Sequence, residues 1–499
     1  MSRIVSVLRT LFTLDLRSLA LARIMLGALI VVDALTRLRD VEIFYSDAGV
    51  SKHAPFLKTL WPSPRPSLYA LSGDVEFAAA LLVLTAVFGA LFAIGFRTRV
   101  VAVLTYVLVL SVQNRNGGIN TGADGVLILF LLYALFLPMG ARFSVDARRA
   151  RATATTTTTS TTLWSAATTA WVLQLVCLYF FNTVNKNGHT WKNGTAVWQA
   201  LHIDEHATIV GVWLREHARF LSGPLTYGTL LVEISVLLLL LPVGLRVVRP
   251  ALVAAFWALH IGFAACFYIA LFSPLSMAAW LAVLPSSVWA LRPLSRFAGA
   301  SAPSSSEPST SEPSSSTSSP SSSSPLRRVG ALAAGVFVLA VVAGQFTVNS
   351  AKTFGFQAPW AYSFLRPLQA HPLWKMFASN PGRNDGWWIV DGAFADGRHL
   401  DLARPGLPAV TKKKPALVAT LYPTGRWRKF MMENAEEGAK TQRRRYAEYL
   451  CRHHNAGAAP EARLTSVTLT WMHEVTPRSL RSQDAKAKPK AMGTFPCKS

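Results

Sequence analysis

The sequence predicts a mainly α-helical fold: a polytopic transmembrane bundle of about nine spans, followed by a small C-terminal extracytoplasmic domain of α+β or β-rich character. Three observations carry this. Of the 499 residues, 51% are hydrophobic and only 15% charged, too few charges to coat the roughly three soluble domains that such a length would otherwise suggest. Apolar runs recur at about 20 residues, the length a helix needs to cross a hydrocarbon core. Beyond about residue 350 the texture changes to alternating apolar and polar positions, turn residues and charge clusters.

The spans follow in order. Clear runs occupy 16–35, 75–96, 163–184, 225–245, 252–271 and 330–346. The shorter runs 100–112 and 126–138 flank a polar stretch at 113–124, so they read as two spans joined at one membrane face. A ninth run, 275–291, follows Ser273-Pro274, where proline starts a helix rather than continuing one. The first run is of spanning length, carries Arg23 and Asp33 and lacks a small-residue cleavage site, so it reads as a permanent span and not a signal peptide.

Loop charge sets the orientation. With the N-terminus cytoplasmic, the inner loops hold Arg97 and Arg99, then Arg142, Arg148, Arg149 and Arg151, then Arg246 and Arg249, then Arg292, Arg296, Arg327 and Arg328. The short outer turns hold Arg115 or nothing, although the long outer loops at 37–74 and 185–224 are also basic. An odd number of spans puts the tail outside. The expected organisation is a bundle of eight spans over 1–300, a Ser/Pro-rich cytoplasmic linker over 301–327, a last span over 328–347 and an extracytoplasmic domain over 348–499. A second low-complexity stretch, 153–162, is nearly all Thr; neither tract can bury apolar surface, so both read as solvated linkers. The expected location is a plasma membrane, the inner membrane of a bacterium.

In the tail, the stretch from Gly386 to Leu402 reads as strand, Asp396-Gly397 turn, strand. A helix is expected over 426–454 and a further strand over 464–473. Cys451 and Cys497 both lie in this tail; an outer compartment permits a disulfide between them, and two free thiols remain the alternative.

The excess of positive charge, 50 Lys and Arg against 26 Asp and Glu, raises nucleic acid as a partner. It divides instead between inner loops and the tail: Ala351 to Ser499 carries 24 basic against 11 acidic residues. Basic runs beside spans, such as 412–414 and 443–445, read as solvated or lipid-facing surface. Membrane lipids are therefore the expected partners, and nucleic acid is not. His202 and His206 stand at helical spacing with Asp204, Glu205 and His217 nearby, but without a diagnostic third ligand, so no metal is expected. No phosphate loop or dinucleotide fingerprint occurs, so no nucleotide is expected either.

Ionisable groups in or at the ends of spans are costly and so become candidates for function. They are Arg23, Asp33, Asp124, Lys186, Glu233 and His260. Arg23 and Glu233 could pair between helices, Asp33 can bridge Arg37 one turn on, and Asp124 can cap a helix. Lys186 ends an apolar span and is followed by a turn containing Trp191. A free lysine is almost wholly protonated at neutral pH, so it serves as a base only if burial lowers its pKa by several units. A snorkelling lysine at the interface is the other reading. His260, mid-span, can bond a neighbouring helix or a ligand.

Several stretches together resemble the HTTM family, membrane proteins related to the vitamin K-dependent gamma-glutamyl carboxylase. They are the opening helix from Leu14, with Phe44-Tyr-Ser-Asp-Ala-Gly-Val after it; the stretch from Asn114 to Asp124, with Phe136-Leu-Pro-Met-Gly-Ala-Arg-Phe beyond it; Lys186-x4-Trp191-x2-Gly194; His260 with Phe272; and Phe377-Ala-Ser-Asn-Pro and Tyr446-Ala-Glu-Tyr-Leu-Cys in the tail. The resemblance implies that Lys186 is the catalytic base, taking a proton from a lipid quinone in its reduced form (vitamin K-like or menaquinol), with His260 as a second catalytic residue. It further implies that Asn114, Asn116, Asp124 and Trp191 bind the cofactor. In the carboxylase the quinone then reacts with dioxygen, and the strong base so formed removes a glutamate γ-proton so that CO2 adds, a lyase-type activity. The substrate implied is an exported peptide or protein. The alternative is a non-enzymatic maturation or interaction protein that scaffolds a secreted partner.

Overall fold

A computed structural model describes residues 3–59, 65–153, 160–291, 325–476 and 486–498. The linker predicted at 301–327 falls largely outside the described residues, as do most of the Thr tract, Arg292 and Arg296.

A short helix, Arg3–Phe12, buries Leu11 and Phe12 and leaves Ile4 exposed. Helix α1 (Leu16–Arg39) then begins at Asp15, whose carboxylate accepts from the Arg17 amide at 2.8 Å. Helix α2 (Val75–Ile94) returns beside it. The two meet at small residues: a Cβ on Gly27 would lie 2.7 Å from the Gly89 carbonyl oxygen, so the crossing needs glycine. α2 stops at Gly95, whose φ of +71° makes the left-handed cap that closes a helix end. The remaining bundle helices are α3 (Thr98–Arg115), α4 (Gly122–Ala134), α5 (Ala166–Val184), α6 (Ser222–Ile234), α7 (Leu245–Cys266), α8 (Phe272–Leu281) and α9 (Pro325–Phe354).

Among the described residues, six helical segments are long and apolar enough to cross a membrane: Leu16–Arg39, Val75–Ile94, Ala166–Val184, Arg219–Leu240, Leu245–Cys266 and Arg328–Phe354. The other three predicted spans are weaker. α3 ends in Gln113, Asn114 and Arg115. α4 has 13 residues, about 20 Å at 1.5 Å per residue, less than a core of about 30 Å. The predicted run at 275–291 breaks, because α8 ends at Leu281 and Pro285 caps a separate short helix, Ser286–Trp289. α4 is nonetheless central: Val126 to Tyr133 are all buried, which explains why that run is apolar on every face. Around it the core continues through Leu26 of α1, Trp171 and Tyr179 of α5 and Trp280 of α8.

The tail forms a four-stranded antiparallel sheet, β1 (Asn384–Phe394), β2 (His399–Asp401), β3 (Leu464–Val475) and β4 (Lys488–Pro496), in the order β2-β1-β3-β4. Trp388 pairs with Trp471 in register, and Gly397 at φ +84° makes the predicted turn. The helix predicted at 426–454 is two helices, α10 (Gly425–Ala435) and α11 (Lys440–Asn455). Between them Arg443 reaches back and donates to the Asn434 and Glu436 carbonyls at 2.7 and 2.8 Å, satisfying groups a continuous helix would have bonded itself. Cys451 and Cys497 form a disulfide that ties α11 to the end of β4. Phe44, Tyr45 and Tyr69 from the bundle share one core with Trp388, Phe430 and Val467, so the sheet domain sits directly on one end of the bundle.

Candidate functional site

Lys186 lies two residues past the end of α5, in a turn closed by its own amide donating to the Thr183 carbonyl at 2.9 Å. Its amine turns inward. Nζ donates to both carboxylate oxygens of Glu233 on α6, at 2.6 and 2.5 Å, and the two side chains are 2% and 1% exposed. Asn182 Nδ2 at 2.8 Å and Thr183 Oγ1 at 3.3 Å also donate to Glu233, so its lone pairs are well used. The Trp191 ring lies 5.0 Å from Nζ, and its indole N–H donates to the Phe377 carbonyl at 3.0 Å. Burial draws the Lys186 amine below the ordinary lysine range while the Glu233 carboxylate pulls the other way.

Beside this pair is a cavity walled by Trp191, Phe263, Phe267, Met376 and Phe377. Water centres have about 20 Å³ within it, room for roughly one water. Its roof comes from two segments outside the bundle helices. The first runs from Gly188 to Ala207, where Ala200 lines the cavity and Ala207 bridges to Phe267. The second is the approach to β1. There Ser379 accepts from the Gly188 amide at 3.0 Å, Asn380 from the Thr190 hydroxyl at 2.8 Å and Pro381 from Gln199 at 2.7 Å.

The six predicted site residues do not converge on one place. Lys186 and Trp191 meet at the cavity. His260 is one ring away: Phe263, which lines the cavity, packs against it at 5.8 Å, and its Nε2 bonds the Tyr179 hydroxyl at 2.7 Å. Phe272 separates His260 from the start of α4: the ring centroids are 5.7 Å apart, and a Cβ on Gly122 would lie 3.3 Å from that same phenylalanine. Asn114 and Asn116 hold loops instead, donating to the Pro66 carbonyl at 2.8 Å and the Phe44 carbonyl at 3.1 Å. Asp124 caps α4 by accepting from the Thr121 amide at 2.7 Å, as expected of a carboxylate there.

Asp124 also joins a buried ionic network. Arg37 donates to Asp33 at 2.7 Å, the expected one-turn bridge, and to Asp124 at 2.5 Å. Arg426 enters from α10 and contacts Asp33 at 2.5 Å and Asp124 at 3.2 Å. The expected Arg23–Glu233 pair does not form. Arg23 instead donates to the Met139 and Phe143 carbonyls at 2.9 and 2.5 Å, in the turn that follows α4, and Glu233 belongs to Lys186.

Sequence reasoning marked Phe377-Ala-Ser-Asn-Pro as a tail stretch but did not place it over the cavity, and it missed the grouping of Asp204 and Glu205 with Asp385 beside it. Asp204 pairs with Arg215 at 2.8 Å and Lys414 at 2.6 Å, and Lys414 also reaches Glu474 at 2.6 Å. Asp385, at the start of β1, accepts from the Asp204 amide. Burial, with Asp204 adding repulsion, pushes the Asp385 carboxyl up to about 7; burial with Asp385 pushes Glu205 up too. Burial, aided by Arg428, holds His206 down to about 3. Among the described residues no three His, Cys, Asp or Glu side chains form a metal-binding group.

Residues 13–289 match the family model of the HTTM domain. No curated protein and no solved structure matches the chain.

Proposed function

We propose, from the premise that this chain belongs to the HTTM family, that it is a multi-pass membrane protein whose Lys186–Glu233 pair is an acid–base centre acting on a lipid-soluble substrate. The observation that carries this is the pair itself: a lysine amine and a carboxylate 2.5 Å apart, nearly out of solvent, beside an aromatic-walled cavity. In water such a pair is firmly ionic. In a dry, low-dielectric site the desolvation of two ions opposes the Coulomb gain, so transfer of the proton from Nζ to Glu233 becomes accessible and leaves a neutral amine. Glu233 is then the group that makes Lys186 a base, and Trp191 shields the amine from water. His260, bonded to Tyr179 behind Phe263, is a positioning group for that wall.

The resemblance points further, to a lipid quinone and to modification of an exported peptide, and the loop charges put the N-terminus in the cytoplasm and that modification at the outer face. The aromatic wall suits a quinone ring, but room for one water does not admit it. A bound quinone ring requires the roof to move. The test is quinol-dependent incorporation of labelled CO2 into a glutamate-containing peptide by the purified protein. Loss with Lys186→Ala and Glu233→Gln is expected; equal incorporation by the variants removes the pair from the mechanism.

A second reading is favoured by Arg426, which plugs the sheet domain into the bundle. It makes the protein a maturation or interaction scaffold. Partner maturation that survives Lys186→Ala but not deletion of 351–499 supports it over the enzyme.

A further inference from the structure

At the end of the bundle that holds the α2–α3 turn, a groove of about 430 Å³ runs between the start of α3 and the turn that follows α4. Its walls are apolar, among them Val100, Ala102, Leu135, Leu137 and Met139, and Val100 and Phe136 stay exposed toward the surface that a bilayer would cover. Arg97 and Arg99 stand at its mouth. Neither guanidinium has a hydrogen-bond or ion-pair acceptor among the described residues; Arg97 only stacks near the Phe96 ring, at 5.9 Å, which Arg149 also approaches at 5.0 Å. The one acid in the lining, Asp146, is engaged by Arg97 and Thr98 away from either guanidinium: it accepts from the Arg97 and Thr98 amides at 2.8 and 2.7 Å and from the Thr98 hydroxyl at 2.6 Å. Arg97 moreover holds a left-handed φ of +42°, a conformation that disfavours any residue with a Cβ. A strained arginine kept where glycine would relax the chain points to use of its side chain.

We infer that this groove binds one anionic phospholipid, with an acyl chain along the apolar wall and the phosphate diester between Arg97 and Arg99. The chemistry selects a headgroup that lacks its own cation: the ammonium of a zwitterionic lipid would face two unpaired guanidinium groups. The inference depends on the membrane reading of the chain and is independent of the Lys186 chemistry. On the proposed topology this is the cytoplasmic leaflet, where Arg142, Arg148 and Arg149 add to the same field.

The test uses the full-length protein, stripped of lipid in mild detergent and titrated with phosphatidylglycerol, phosphatidylcholine or inorganic phosphate, with bound species counted by native mass spectrometry. Wild type is expected to retain one phosphatidylglycerol about tenfold more tightly than phosphatidylcholine, and inorganic phosphate is expected not to displace it. Arg97→Gln with Arg99→Gln abolishes the preference, and Val100→Trp, which fills the apolar wall but keeps both charges, weakens both lipids alike. Equal retention of the two lipids by wild type, an unchanged preference in the double variant, or displacement by inorganic phosphate overturns the inference. Unchanged thermal melting of the variants shows that the fold is intact.

Discussion

Two buried ionic clusters, built from the same kinds of side chain, do different things in this molecule. Lys186 and Glu233 form a single pair beside a cavity, its ends supported by Asn182, Thr183 and the Trp191 ring. Asp33, Arg37, Asp124 and Arg426 form a closed square with two positive and two negative corners; Tyr45 also accepts from Arg37, at 2.7 Å. The square joins three parts of the chain, α1, the start of α4 and the tail helix α10, whereas the pair joins only α5's end to α6. What distinguishes them is space and redundancy. Each corner of the square faces two opposite charges, so no proton can move without leaving a neighbour uncompensated. Each member of the pair has one charged partner and a void alongside, so the pair can exchange a proton or admit a guest.

Removing a corner of the square gives the largest expected effect. Arg426→Met leaves two buried carboxylates facing one arginine, and breaking a buried pair from one side typically costs 3–5 kcal/mol. Thermal unfolding in detergent should show that loss, and proteolysis should now attack the released sheet domain in 351–499. A variant that melts like wild type with a protected tail would mean that the square does not hold the domain in place.

Next in size is the pair. Glu233→Gln or Lys186→Met alone should cost about 1–3 kcal/mol, less than the square because a lone lysine can shed its proton and a water can enter the cavity. The double variant Lys186→Met with Glu233→Met should recover to within about 1 kcal/mol of wild type, since a buried ion pair replaced by apolar groups of similar volume is often neutral or better. Melting that recovers while the chemistry stays absent separates a functional pair from a structural pin. A double variant as damaged as the singles would instead make the pair another structural joint, and erase the contrast with the square.

Much of this contrast was legible in the sequence, but unevenly. Lys186, Asp33, Asp124 and Glu233 stood out because charge in an apolar run has to be explained locally. The Asp33–Arg37 bridge and the Asp124 cap followed from spacing alone, because one helical turn sets them. Partners far apart in sequence did not follow. Glu233 is 47 residues from Lys186 and Arg426 is 393 from Asp33, and only the packed bundle decides which distant opposite charge is met; hence the mistaken pairing of Glu233 with Arg23. Span count was least legible where burial substitutes for lipid: α4 is apolar because protein surrounds it, and its 13 residues are fewer than an unaided crossing needs. In the tail, the turn at Gly397 and strand β3 were visible from alternation. The break between α10 and α11 was not, because it depends on where Arg443 points.

The most local expected effect concerns the roof over the pair, and pH is the probe. Around Asp385 and Glu205 stand Asp204 and Glu474 as further acids, Arg215, Lys414 and Arg428 as cations, and the Tyr422 hydroxyl and His206 as neutral groups. The acids outnumber the cations, so the folded cluster retains a proton that the unfolded chain releases. With Asp385 held up to about 7 against an ordinary aspartate near 4, the folded state binds more protons between those values. Stability from this source is fully present below about pH 4 and drains away as pH rises through about 7, by up to roughly 1.4 kcal/mol per pH unit for one fully titrating group. The square, with its charges balanced and its corners doubly paired, should hold its contribution over the same window. After correction for the intrinsic base catalysis of amide exchange, the backbone amides at 199–207 and 379–386 should therefore exchange faster as pH rises between about 4 and 7 while α10 stays protected. Asp385→Asn, which is neutral at every pH, should flatten that rise. Exchange that slows with pH, or rises equally in the variant, would place the titrating proton elsewhere and detach the roof from this cluster.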